Sequence, residues 1–160
     1  MMNRIRKSIL VLAAFLLVMV TACSKGDKTI GVAEKDPEMT AAISKARETL
    51  PQFWQVFDKR AHGESGFSLK VRITDTKGTE HFWATDIDRR EGKLMGNINN
   101  DPDIVSSVRL GDRIVIPETD ITDWLYMRDG KMVGNYTLKP LLKQMPPAEV
   151  ERLKRIMTDP

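Results

Sequence analysis

The chain is predicted to be α+β: a curved antiparallel sheet or partly closed barrel of about five to six strands, with helices packed on it from the N-terminal and C-terminal ends. Three observations lead there. Apolar residues recur at three- and four-residue spacing from Met39 to Phe57, change to strict alternation from Phe67, and return to helical spacing after Thr137. A Gly- or Asp-containing turn separates each pair of alternating runs, as hairpins require. Helical patterns sit at the two ends, with one short helical insert among the strands, an order that reads as α+β.

The first helix starts at Asp36-Pro37, a capping side chain followed by proline at the first helical position, where its missing N–H costs nothing. Met39, Ala42, Ile43, Ala46, Leu50, Phe53, Trp54 and Phe57 form its apolar side, and Pro51 is expected to break or kink it. Phe67, Leu69, Val71 and Ile73 alternate with polar residues, and a turn at Asp75 to Gly78 returns the chain through Thr79 to Asp88. A strand at Lys93 to Asn99 follows. Asn100-Asp101-Pro102 reads as the start of a short helical segment through Val108, and Arg113 to Ile116 as extended chain. Asp129-Gly130 is a two-residue hairpin turn needing positive φ; it sets Met127 opposite Met132, Tyr126 opposite Val133, Leu125 opposite Gly134 and Trp124 opposite Asn135. Thr137 to Gln144 and Pro147 to Met157 close the chain as helices, the latter with Val150, Leu153 and Met157 on one stripe.

Ahead of the domain stands V-T-A-C-S-K-G, which holds the single cysteine, Cys23. Arg4, Arg6 and Lys7 precede an apolar run from Ile9 to Val20 and the small pair Thr21-Ala22, the parts of a secretory signal peptide. The run falls short of the roughly 20 apolar residues of a membrane-spanning helix. V-T-A-C resembles a bacterial lipobox, which implies cleavage before Cys23 and lipidation of its thiol and amine, and a membrane anchor of several acyl chains. Ser24 in place of Asp resembles lipoproteins sorted to the outer membrane, so the expected location is the envelope, on the periplasmic side of that membrane. Residues 1–22 are thus read as signal peptide, 23–35 as lipidated N-terminus and tether, and 36–160 as one globular domain. The polar tether reaches on the order of 20 Å, with Ile30 and Val32 able to dock as a short strand.

Removing residues 1–22 takes away Arg4, Arg6 and Lys7 and no acid, so the 25 Lys+Arg come down to equal the 22 Asp+Glu. A neutral domain has no electrostatic reason to bind nucleic acid. Metal chemistry has little to draw on: beside Cys23 there are only His62 and His81. Asn97 to Asp103 alternates oxygen ligands, but Pro102 stands where a calcium loop needs glycine and Val108 where it needs glutamate. No cofactor is implied.

Catalysis has weak candidates. His81 with an acid from Glu80, Asp86 or Asp123 would suit general acid–base work. Strand alternation instead puts Glu80 and Asp86 on one face and His81 on the other with Trp83, Thr85 and Ile87. Gly63-Glu64-Ser65-Gly66 misses the spacing of a nucleophile elbow, since Phe67 takes the place of its second glycine. Asn135-Tyr136-Thr137 matches a glycosylation sequon, which carries little meaning in a bacterial lipoprotein. Trp83, Trp124, Tyr126 and Tyr136 are the aromatics that could stack on a partner, although strand aromatics are usually core.

Four blocks, G-E-S-G-F-S-L-K-V-R-I-T-D, G-T-E-H-F-W-A-T-D-I, G-N-I-N-N-D-P-D-I-V and D-W-L-Y-M-R-D-G-K-M-V-G-N-Y-T-L-K-P-L-L, run from about Glu64 to Leu142. With them the chain resembles the YegJ-like lipoprotein family, a bacterial domain of unknown function. The resemblance implies the domain and no activity, substrate or catalytic residue. The expectation is therefore a lipid-anchored, non-enzymatic envelope module that binds a protein or cell-wall partner; envelope inhibitor or immunity proteins fit that description by analogy. The rival expectation is a small periplasmic hydrolase using His81.

Overall fold

The computed structural model describes residues 36–60 and 63–158. Residues 1–22, read as a signal peptide, Cys23, the segment read as a tether with Ile30 and Val32, and His62 lie outside the described residues. Helix α1 spans Pro37–Lys59, and the Asp36 carboxylate caps it, accepting from the backbone N–H of Glu38 (2.8 Å) and Met39 (3.1 Å). The helix continues through Pro51, contrary to a break there. Pro51 and the residue one turn earlier, Arg47, are both exposed, so the carbonyl that loses its N–H partner is on the side open to water. Arg60 ends the helix in the left-handed region at φ 42°.

Seven strands form one sheet: β1 (Glu64–Asp75), β2 (Gly78–Arg90), β3 (Lys93–Ile98), β4 (Arg113–Val115), β5 (Ile121–Arg128), β6 (Lys131–Gly134) and β7 (Met157–Thr158). Their order is β4-β3-β2-β1-β5-β6-β7, so the sheet is open and does not close into a barrel. Every pairing is antiparallel except β6 with β7, and that last two-residue strand brings the count above the expected five to six. The β5–β6 register is the one the Asp129-Gly130 turn predicts, with Tyr126 opposite Val133 and Leu125 opposite Gly134; both turn residues have positive φ. Gly134 itself, at φ +86°, admits no side chain: an added Cβ would lie 2.4 Å from the Trp124 carbonyl oxygen.

Bulges correct the simple alternation. In β2, Asp86 takes φ 49° and the register to β3 shifts between Thr85 and Asp88. Ile87 consequently turns inward with Ala84 and not outward with His81 and Trp83.

The main core gathers Ala46, Phe53 and Phe57 of α1 against Leu69, Val71, Ala84, Ile87, Leu94, Trp124, Tyr126 and Val133 of five strands. The helix packs chiefly on β5, and Trp124 ties the two together by donating its indole N–H to the Ala46 carbonyl at 2.9 Å. A smaller cluster of Phe82, Ile98 and Val105 lies under the connection between β3 and β4. That connection is not helical as expected. Glu80, 4% exposed, accepts there from the N–H groups of Asp103, Ile104 and Val105, and Asp75 accepts from those of Ser106 and Ser107. Two strand carboxylates thus capture the N–H groups that helical turns would have used. After β6, α2 (Leu138–Leu141) runs into a 3₁₀ turn (Leu142–Gln144), and α3 (Pro147–Ile156) leads into β7 with Leu153 buried. No helix among the described residues is long and apolar enough to cross a membrane.

Candidate functional site

The seven-residue repeat of α1 that buries Met39, Ala46 and Phe53 leaves a half-open stripe on each side, and each stripe borders a recess. On one side Glu38, Ala41, Ala42, Lys45, Thr49 and Gln52 follow helical spacing and face Tyr136, Lys139 and Pro140 across a groove of about 680 Å³. Its middle is apolar. Its rim carries charge of both signs, with Lys143 reaching Glu38 from the segment after α2 and Lys139 over the Tyr136 ring at 5.5 Å. Tyr136 stacks edge-on against Trp124 at 5.7 Å, which makes its ring continuous with the core.

On the other side Thr40, Ile43, Ser44 and Arg47 border a recess of about 320 Å³ with Arg72, His81 and Thr122. Arg72 and His81 are direct cross-strand partners of β1 and β2 and so share a face. Arg47 donates from Nε to the Ile121 carbonyl (2.9 Å) and from Nη2 to that of Thr119 (3.1 Å).

Of the acids proposed to serve His81, each has other partners. Glu80 points inward to the β3–β4 connection, and Asp86 accepts from the Asn97 amide at 3.0 Å. Asp123 has no exposed surface; its carboxylate accepts from the N–H groups of Trp124 (2.8 Å), Tyr136 (3.1 Å) and Thr137 (2.7 Å) and from the Thr137 hydroxyl (2.7 Å). Lys70, opposite Asp123 in the β1–β5 register, donates to that hydroxyl at 3.1 Å and lies over the Trp83 ring at 5.5 Å. Burial pushes the Asp123 carboxyl up from its ordinary value against the Thr137 bonds, and burial pulls the Lys70 amine down against the attraction of Asp123. This Lys–Thr–Asp chain holds the segment after β6 to the end of the sheet. A nucleophilic role for Thr137 has no access, since the residue is 2% exposed.

Three of the four aromatics named as stacking surfaces are core: Trp124, Tyr126 and Tyr136 are 0%, 2% and 5% exposed. Trp124 and Tyr126 stack on each other at 6.0 Å beneath Phe53, and burial pushes the Tyr126 phenol up from its ordinary value. Trp83 alone remains partly open, beside Lys70. Sequence reasoning missed Lys70 and Thr137. The available hint was an aspartate between Thr122 and Trp124 in an otherwise apolar strand, a charge that burial allows only with partners. Among the described residues no group of three His, Cys, Asp or Glu side chains is placed to hold a metal ion.

Residues 36–157 match the model of a family described as "Uncharacterized protein conserved in bacteria (DUF2314)". The chain is 36% identical over 149 residues to the uncharacterised protein YegJ of Escherichia coli K12, covering 92% of this chain and 96% of that protein. It is 29% identical over 129 residues to a Neisseria meningitidis serogroup B protein provisionally named an ankyrin repeat protein, covering 75% of this chain and 51% of that longer relative. No solved structure matches the chain significantly.

Proposed function

The chain belongs to the DUF2314 family of uncharacterised bacterial proteins, and from that premise we propose a lipid-anchored envelope protein, held through Cys23, whose folded part is a non-enzymatic binding module for a protein or cell-wall partner. The observation that carries the binding role is the groove between α1 and α2, with an apolar middle, a rim of mixed charge and a volume of about 680 Å³. The anchor rests on V-T-A-C and the basic, apolar and small segments before it, and the outer-membrane location on Ser24. A relative named for ankyrin repeats, units that stack into binding surfaces, favours a protein partner over a wall polymer.

Envelope crosslinking with the native protein and with Cys23→Ser tests both halves. The expected result is palmitate labelling and a discrete crosslinked partner in the native protein, with both lost in the variant. Ordinary processing and labelling of Cys23→Ser would overturn the anchor. Crosslinks that survive Ala42→Trp, which fills the groove, would overturn the binding site. The hydrolase reading draws on His81 bordering a recess, but Glu80, Asp86 and Asp123 are turned to other partners.

A further inference from the structure

We propose that the recess where α1 meets Arg72 and His81 binds an oxyanion, a phosphate or carboxylate group carried on a ligand. It lies on the opposite flank of α1 from the groove and stands independently of the binding role assigned there.

The chemistry of the lining is one-sided. Arg47 and Arg72 supply guanidinium groups and Ser44 a hydroxyl, with His81 beside them; the buried Thr122 hydroxyl donates to the Lys70 carbonyl, and among the described residues no acid borders the recess. Arg47 is also held ready. Its two bonded N–H groups go to neutral main-chain carbonyls, which fix the guanidinium plane and leave its charge unbalanced; among the described residues it forms no ion pair. Arg72 has a single contact to a carboxylate, Nη2 to Asp120 Oδ1 at 3.1 Å, and both side chains of that pair are partly exposed. Its other N–H groups are available, and a guanidinium fork matches the paired oxygens of phosphate and carboxylate.

Position adds to charge. Arg72 and His81 sit directly opposite on neighbouring strands, and Ser44 and Arg47 are three residues apart on α1, so donors from a rigid helix and a rigid sheet converge on one spot. A volume of about 320 Å³ accepts a phosphate group with its first waters. Donors fixed in advance by the fold lose little freedom when an anion arrives.

The test is thermal stability of the full-length protein in detergent, titrated with inorganic phosphate and separately with acetate, against chloride at matched ionic strength. The expected result is a saturable rise in melting temperature with at least one of the two anions. Arg72→Gln should weaken that binding about tenfold, as loss of one charge-assisted contact does. Ser44→Ala, which leaves the fold's own bonds intact, should weaken it less, and Arg152→Gln on α3 should leave it unchanged. An equal rise with chloride, or the same titration in Arg72→Gln and native protein, would overturn the site. Vesicles of phosphatidylglycerol and of phosphatidylcholine alone then identify the source. Because the anchor itself partitions into either vesicle, an Arg72-dependent excess of sedimentation with the anionic over the phosphatidylcholine vesicles assigns a lipid phosphate, and anion binding with equal sedimentation on both assigns a soluble ligand.

Discussion

Asp123 is a carboxylate with no exposed surface, and the physics of its neighbours makes it and Lys70 unequal partners. Three N–H groups and a hydroxyl converge on Asp123, whereas Lys70 contributes one bond and a contact with a ring. Removing the acceptor strands buried donors, while removing the amine relieves a desolvated charge. Asp123→Ala is therefore expected to cost roughly 3 kcal/mol in urea unfolding, with the slope unchanged, and Lys70→Met less than about 1 kcal/mol. Equal losses in the two variants would contradict this account. The signs with pH are also opposed. A raised Asp123 stabilises fully below the ordinary aspartate value and loses that contribution as pH rises through its raised value. A lowered Lys70 contributes above the ordinary lysine value and loses it as pH falls through its lowered value. None of this is legible from the sequence, because the pairing of residue 70 with residue 123 depends on a contact between distant strands.

At the level of elements, the β3–β4 connection shows where local reading fails. Asn100-Asp101-Pro102 carries a sound helix-start signal, yet the segment is held as irregular chain by Glu80 and Asp75, side chains of the β1–β2 hairpin far behind it. The hairpins at Asp75 to Gly78 and Asp129-Gly130, by contrast, are specified by their own turn residues and were readable as hairpins, and at Asp129-Gly130 the register from Leu125–Gly134 to Met127–Met132 was readable too. Glu80→Gln should speed amide hydrogen exchange at Asp103, Ile104 and Val105 while leaving β1 and β2 protected; unchanged exchange would show that the clasp contributes nothing. N–H bonds from Ser106 and Lys77 lower the Asp75 carboxyl from its ordinary 3.8. Its contribution is present above that value and is lost as pH falls through the lowered one, so protection of Ser106 and Ser107 should persist at pH 3.8 and collapse only in stronger acid.

For the whole molecule, helices at both ends of an antiparallel sheet were legible from the change of period, an open curved sheet and a partly closed barrel were both compatible with it, and the seventh strand was not legible. Met157 reads as the end of a helical stripe because a two-residue strand has no periodicity to detect; the structure pairs it with Met132 in parallel. That pairing shields the outer edge of β6. Deleting residues 146–160, and with them α3 and β7, should lower the melting temperature and produce concentration-dependent association on size exclusion; a monomer of native stability would refute the shielding. The strand order carries a further implication, for the route by which the chain folds. Strands β1 to β4 lie antiparallel beside one another in chain order, and β5 and β6 likewise, whereas β1 meets β5 only when Glu64 finds Arg128 and Leu69 finds Trp124. Closing so long a loop is slow compared with forming either half. Since α1 packs on β5 and its Phe53 also reaches β1 side chains, the helix can finish docking only after that seam has closed. The rate of folding should then be governed by the junction of two local halves and not by any element within them.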